Sequence, residues 1–273
     1  MRMRPRVTVI IPTYNAARTL PKALESLQAQ TVEDWECIVT DGGSSDMSYN
    51  IARAFGERDP RIWAMRVDGP SGRCAGRARA VNAAASRAGG EYVANLDADD
   101  YYLEDFLEKA CRALDRTPSV SGVYSHFIEW HEADSVKRIH RCPEFERDAL
   151  VRGNYIAFST LVVRGEMRLS AAWEPIADWE LLLRLSRDRP LLLLPEILSV
   201  RRFHAAQVSR GLGGARTILR KLLLPYLEGG FVNGMLAAFG QAKSIGWHLA
   251  KGRSRTFEYF RSYDEGSANE EKI

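Results

Sequence analysis

The sequence predicts an α/β protein whose mostly parallel sheet is flanked by helices. Three observations carry this. The β-branched run Val7-Thr8-Val9-Ile10-Ile11 stops at Pro12, and uninterrupted runs of this kind suit strands buried on both faces. Further short apolar runs follow at 35–40, 62–67 and 92–96, with helical spacing between them; that alternation specifies βαβ units. Of 273 residues, 45% are hydrophobic and 27% charged, a balance that supports a sizeable buried core.

The elements follow in order. After the first strand, residues 19–30 set Leu20, Leu24 and Leu27 on one helical face. The strand at 35–40 closes on Asp41 and a Gly-Gly-Ser-Ser turn, where Ser45 or Asp46 can cap a helix running to Ala54. A third strand at 62–67 leads to a helix expected over 73–88, and the short strand 92–96 runs into Asp97-Ala98-Asp99-Asp100. Helical spacing resumes at 102–114. One or two strands follow within 120–130, then an irregular stretch at 141–153 that can cover the site. A helix at 177–185 and a strand at 191–200, bent at Pro195, lead to a polar strand or loop at 201–209.

These elements divide the chain into a domain over 1–210, with halves at about 1–100 and 101–210, a basic helical extension over 211–262, and a tail over 263–273. The tail is polar and acidic and is expected to be disordered. Residues 201–262 hold eleven lysines and arginines against two acids, Glu228 and Glu258, although the whole chain is only +3. Such a basic, leucine-rich region suits peripheral contact with an anionic membrane or a homodimer surface. Pro225 and Gly229, Gly230 and Gly234 interrupt its apolar run, and no stretch reaches the roughly 18 apolar residues of a spanning helix. The four cysteines are widely spaced with no CxxC pair, which argues against a disulfide scaffold or thiolate zinc site and suits the cytoplasm, including its membrane face.

In parallel sheets ligands sit beyond the carboxyl ends of the strands. Three polar loops fall there: Pro12-Thr13-Tyr14-Asn15, the turn at 41–46, and the acidic turn at 97–100. Three carboxylates within four residues repel unless compensated, and hard oxygen ligands of this kind suit Mg2+ or Mn2+ held partly by substrate phosphates. A capped helix start also explains such a cluster. Asp41 can accept from a base or ribose, with Gly42 and Gly43 allowing close approach; a tight turn is the plainer reading. Asn15 can equally cap the next helix. Arg73, Arg77 and Arg79 can neutralise a diphosphate, although solvent exposure explains arginines as well.

The stretches VTVIIPTYNAARTLPKALESLQAQT, DGGSSD, NAAASRAGGEYVANLDADD, IADWELLLRL and RRFHAAQVS occur in that order between residues 7 and 209. Together they resemble family 2 of the inverting glycosyltransferases, which implies a GT-A type, Rossmann-like fold, here with a C-terminal helical extension. By that resemblance Asp41 holds the uracil ring and Asp99 coordinates the metal bridging the diphosphate. Asp97, with Ala98 between it and Asp99, helps place ribose and metal. Thr13 lies by the nucleotide, and Pro12, Tyr14, Asn15 and Asn82 line the same site. The usual Ala-Arg-Asn reads Ala80-Val81-Asn82 here, with arginine at position 79.

Asp178 resembles the catalytic base, in a motif whose preceding acid is replaced by Ala177. A carboxylate there can take the proton of an acceptor hydroxyl during attack at the anomeric carbon; the plainer reading is a first-turn helix acid. His204 resembles the family histidine near the diphosphate or in the metal shell, with Arg202 assisting. Trp179 can stack on a sugar acceptor, although core packing is the commoner use of such an aromatic, and Glu180 can orient it. The expectation is a nucleotide-sugar donor and a saccharide or lipid-linked acceptor in surface-polymer synthesis. A nucleotidyltransferase would need a Gly-rich loop after the first strand, and PTYNAART is a poor substitute. A non-catalytic nucleotide-sugar-binding protein has no need of Asp178. Nucleic acid is not expected as a partner, since no recognition helix or aromatic platform orders the arginines and the concentrated acids oppose a phosphate backbone.

Overall fold

The computed structural model describes residues 5–69, 74–204, 223–224 and 227–228. Arg73 lies outside them, as do the tail and nearly all of the 211–262 extension. The membrane or dimer surface expected of that extension therefore lies outside the described residues.

Among the described residues nine strands form one sheet. Strands β1 (Val7–Thr13), β2 (Trp35–Asp41), β3 (Ile62–Arg66) and β4 (Tyr92–Asn95) make its parallel half, with β1 between β2 and β4. The other half is mixed. It contains β5 (Tyr101–Tyr102), β6 (Gly122–His131), β7 (Val136–His140), β8 (Val162–Arg164) and β9 (Leu191–Phe203). The order is β3-β2-β1-β4-β8-β6-β9-β5, with β7 paired to β6. Strand β8 runs antiparallel to both β4 and β6 and joins the halves.

Alternation along β1 explains why the sheet is covered on both sides. Val7, Val9 and Ile11 enter one core with Leu20, Leu24 and Leu27 of α1 (Leu20–Gln28), Ala52 of α2 (Ser48–Arg58), and Phe106, Leu107 and Leu114 of α4 (Phe106–Arg116). Ile10 enters the other core. There it joins Ala78, Val81 and Ala84 of α3 (Arg77–Ala85), Leu150 of α5 (Arg147–Arg152), and Leu181 and Leu182 of α6 (Ala177–Leu185). Each strand thus serves two apolar layers, the reason its sequence reads as a continuous hydrophobic run.

Several boundaries moved for identifiable reasons. The helix expected from 73 starts at Arg77, because Gly76 sits at φ +79°, a left-handed conformation that cannot continue a helix. Tyr101 and Tyr102 are not helical; they pair with Val200 and Ser199 of β9. The segments around 120–130 are one strand, β6, whose register against β9 shifts on either side of His126. The stretch at 191–203 is a single strand that carries Arg201 and Arg202 to the carboxyl edge.

Candidate functional site

The parallel strands deliver three loops to one edge. Thr13 lies opposite Asp41 across β1 and β2, and Ile10 opposite Asn95 across β1 and β4. Gly42 N–H donates to the Thr13 carbonyl (2.8 Å) and Ala75 N–H to the Gly42 carbonyl (3.1 Å), stitching the loops together.

Asn15 does not cap α1. It takes φ +49°, and its Oδ1 accepts from the Ser45 N–H (2.9 Å) while its own N–H donates to Ser44 Oγ (2.9 Å). Asp46 accepts from Ser48 N–H and from Ala17 N–H, each at 3.0 Å. Burial works to raise its pKa, but the hydrogen bonds from Ser48 and Ala17 prevail and hold it below the usual carboxylate value. The loops after β1 and β2 are thus one hydrogen-bonded unit. Tyr14 stands exposed on it, whereas Thr13 is buried with its hydroxyl on the Ile11 carbonyl.

Asp41 is fully buried. Its Oδ2 accepts from Ser44 N–H at 3.2 Å, and its Oδ1 has no hydrogen-bond partner among the described residues. An orphaned buried carboxylate oxygen is costly unless something supplies a donor.

The acidic turn lies two strands away. Oxygens of Asp97, Asp99 and Asp100 fall within 4.8 Å of one another. Asp97 Oδ1 accepts from Arg77 Nη2 (2.5 Å) and Asn95 Nδ2 (2.9 Å), and Asp99 Oδ2 lies 3.2 Å from His204 Nε2. Asp100 is buried; it accepts from Ser159 Oγ (2.6 Å) and from the Arg202 backbone N–H (2.9 Å). Burial raises its pKa well above the ordinary carboxylate value, and the charges of Asp99 and Asp97 push the same way. A cation at the cluster would oppose that shift.

Arg77, paired with Asp97, feels the charge of Asp178 as well as that of the cluster. Burial opposes its charge but is outweighed by Asp97, Asp178, Asp99 and Asp100, which hold the guanidinium protonated. Asp178 lies in the first turn of α6 and is half-buried. Asp178, almost eighty residues from the acidic turn, thus adds its charge to those of the turn acting on Arg77.

Other expected residues are engaged elsewhere. Trp179 is buried in the core and donates its indole N–H to the Leu150 carbonyl at 2.7 Å, so it packs α6 on α5 instead of facing an acceptor. The Asn82 amide clamps Leu169, donating to its carbonyl (2.8 Å) and accepting its N–H (2.7 Å). Arg79 donates to the Asp68 carbonyl, Glu180 pairs with Arg184, and Ala98 is buried in the core. The Arg202 side chain is buried beside Glu132, 3.4 Å away, and under Trp130.

Three residues escaped the sequence reading. Ser159, in a 3-10 turn at Phe158–Thr160, bonds Asp100 and also accepts from the Asp97 N–H (3.2 Å). Glu174 accepts from Ala78 N–H (2.5 Å) at the start of α3. Glu132 pairs with both Arg18 (2.9 Å) and Arg202 (3.4 Å), tying the β1–α1 loop to the end of β9. None has a local motif, since each partner is distant in sequence.

A mostly parallel sheet that gathers acidic and polar loops at its carboxyl edge is the architecture of a GT-A glycosyltransferase. Residues 8–161 match the model "Glycosyl transferase family 2", and the chain belongs to that family. Its relatives include the hyaluronan synthase of Pasteurella multocida, 26% identical over 80% of this chain and 22% of the relative. The putative teichuronic acid biosynthesis glycosyltransferase TuaG of Bacillus subtilis is 37% identical over 39% of this chain and 40% of its own. The chain thus spans well under half the length of these two curated relatives. Among solved structures, S. aureus TarS in complex with UDP superposes with a TM-score of 0.62 at 17% identity, covering 93% of this chain and 74% of that one. The mannosyltransferase PcManGT of Pyrobaculum calidifontis, in complex with GDP-Man and Mn2+, gives 0.60 at 20% identity over 92% and 77%. Among the described residues no helix is long and apolar enough to cross a membrane.

Proposed function

We propose that this glycosyltransferase moves a sugar, with inversion, from a nucleotide-sugar donor to a saccharide or lipid-linked acceptor in surface-polysaccharide or glycolipid synthesis. The observation that carries it is the acidic turn at the carboxyl edge, where oxygens of Asp97, Asp99 and Asp100 converge beside Arg77, on the same edge as the buried Asp41. The unpartnered Asp41 Oδ1 fits the ring N–H of uracil, which favours a UDP-linked donor. Thr13 and Tyr14 border that position.

The acidic turn fits a divalent cation, Mn2+ or Mg2+: its carboxylate oxygens converge, and His204 adds a nitrogen beside Asp99. Asp99 would hold the ion, with Asp97 and His204 completing the protein's share. When bound, such an ion neutralises the diphosphate leaving group. Asp178 accepts the proton of the acceptor hydroxyl as its oxygen attacks the anomeric carbon, and a single displacement inverts the configuration. Arg77 supplies further positive charge beside the phosphates. Polysaccharide synthases among the relatives support the acceptor class. The basic region at 201–262 supports work at a cytoplasmic membrane face.

The test is a binding screen of the folded protein against nucleoside diphosphates and nucleotide sugars, with and without Mn2+. Metal-dependent binding of one UDP-sugar is expected. Binding of none would sink the roles given to Asp41 and Asp99.

A further inference from the structure

Arg77 is a cation held where a divalent metal would compete with it. Its Nη2 lies 2.5 Å from Asp97 Oδ1, and Asp178, Asp99 and Asp100 all favour its charge. The guanidinium stacks over Phe158, 4.8 Å from the ring centroid, and its buried Nε has no hydrogen-bond partner among the described residues. Among the described residues, one ion pair and one ring contact hold its side chain. Asn95 donates to the same Asp97 oxygen at 2.9 Å, so Asp97 keeps its orientation if the arginine leaves. Arg77 is also the first residue of α3, where the helix dipole disfavours a cation and favours an anion.

We infer that Arg77 is an internal counter-cation that neutralises the acidic turn in the empty enzyme and moves toward the diphosphate when a nucleotide binds. Metal and nucleotide then load together, because the diphosphate offers the guanidinium a new partner as the metal takes its place at Asp97. This rests on the metal-dependent reading of the site above.

The experiment measures Mn2+ binding by the loss of the free aqua-ion signal in electron paramagnetic resonance. It compares protein alone with protein plus UDP or GDP, corrected for Mn2+ held by free nucleotide. In the unaltered protein, nucleotide is expected to tighten Mn2+ binding by at least about tenfold. Arg77→Gln, checked for folding by circular dichroism, is expected to bind Mn2+ alone at least about tenfold more tightly than the parent, with a smaller gain from nucleotide, because a like charge has been removed beside the site. Arg77→Lys, which retains the charge, is expected to stay near the parent. Equal Mn2+ affinity of Arg77→Gln and parent without nucleotide overturns the inference and leaves the metal site standing. If Arg77→Gln does not fold, nucleotide-independent Mn2+ affinity in the unaltered protein overturns it instead. No Mn2+ binding by the folded parent, with or without either nucleotide, removes the metal reading and the inference together.

Discussion

Ser159 Oγ donates to Asp100 Oδ2 at 2.6 Å and itself accepts the Asp97 N–H. One hydroxyl from the second half of the domain thus sets both ends of the acidic turn. Ser159→Ala is expected to destabilise the protein by about 1–3 kcal/mol, because a buried carboxylate loses a donor. Chemical denaturation measures this. Mn2+-dependent nucleotide binding should weaken in the same variant, and unchanged binding would remove Ser159 from the site's support.

Asp178 and Asp99 should fail differently. Asp178→Asn is expected to spare donor binding while lowering turnover by roughly 10²–10⁴-fold, the usual range for a lost general base. Asp99→Asn should weaken metal-dependent donor binding itself. Parallel calorimetry and transfer assays separate the two, and equal losses of donor affinity would refute the division of roles.

Glu132 is a positioning residue. Its carboxylate meets Arg18 and Arg202, and the charges of both lie behind its lowered pKa: the Arg18 hydrogen bond is the largest cause, partly offset by burial. Glu132→Gln should loosen the loop that carries Tyr14 and Asn15. A rise of a few-fold in donor KM with kcat nearly unchanged is expected, since uniform binding is lost. A fall in kcat alone would contradict this.

Trp179 tests the core assignment. Trp179→Ala is expected to cost about 3–5 kcal/mol through cavity formation and a lost buried hydrogen bond. Trp179→Phe should retain acceptor KM, because the ring faces α5 and not the site. A large KM change for Trp179→Phe would restore the acceptor role.

Asp59 supplies acid sensitivity far from the site. Hydrogen bonds from the Arg61 side chain hold its pKa at about 2, against the opposing effect of burial. A depressed carboxylate stabilises the fold above its unfolded pKa and loses that contribution as pH falls through the folded value. Stability should therefore decline between about pH 4 and pH 2. Asp59→Asn should flatten that decline in urea melts taken at several pH values.

Much of this was legible in the chain itself. Val7-Thr8-Val9-Ile10-Ile11, the Leu20, Leu24 and Leu27 spacing and the helix at 177–185 are local patterns, and they specified the βαβ half and α6. That the loops carrying Thr13, Asp41 and Asp97 share one edge was predictable, because chain direction in a parallel sheet brings strand ends to one edge. Family motifs added the order of the site. Only tertiary structure decided which side chains face it. Trp179 and Asp178 are neighbours in sequence, yet a helix turns each by about 100° from the last, so the first enters the core while the second lies in Arg77's field. Asn82 is tied to Leu169, and Ser159, Glu132 and Glu174 reach Asp100, Arg202 and Ala78, through contacts between distant segments. Periodicity is a local property and reports which residues are buried; pairing across the fold depends on how the two halves pack, and that is a property of the whole chain.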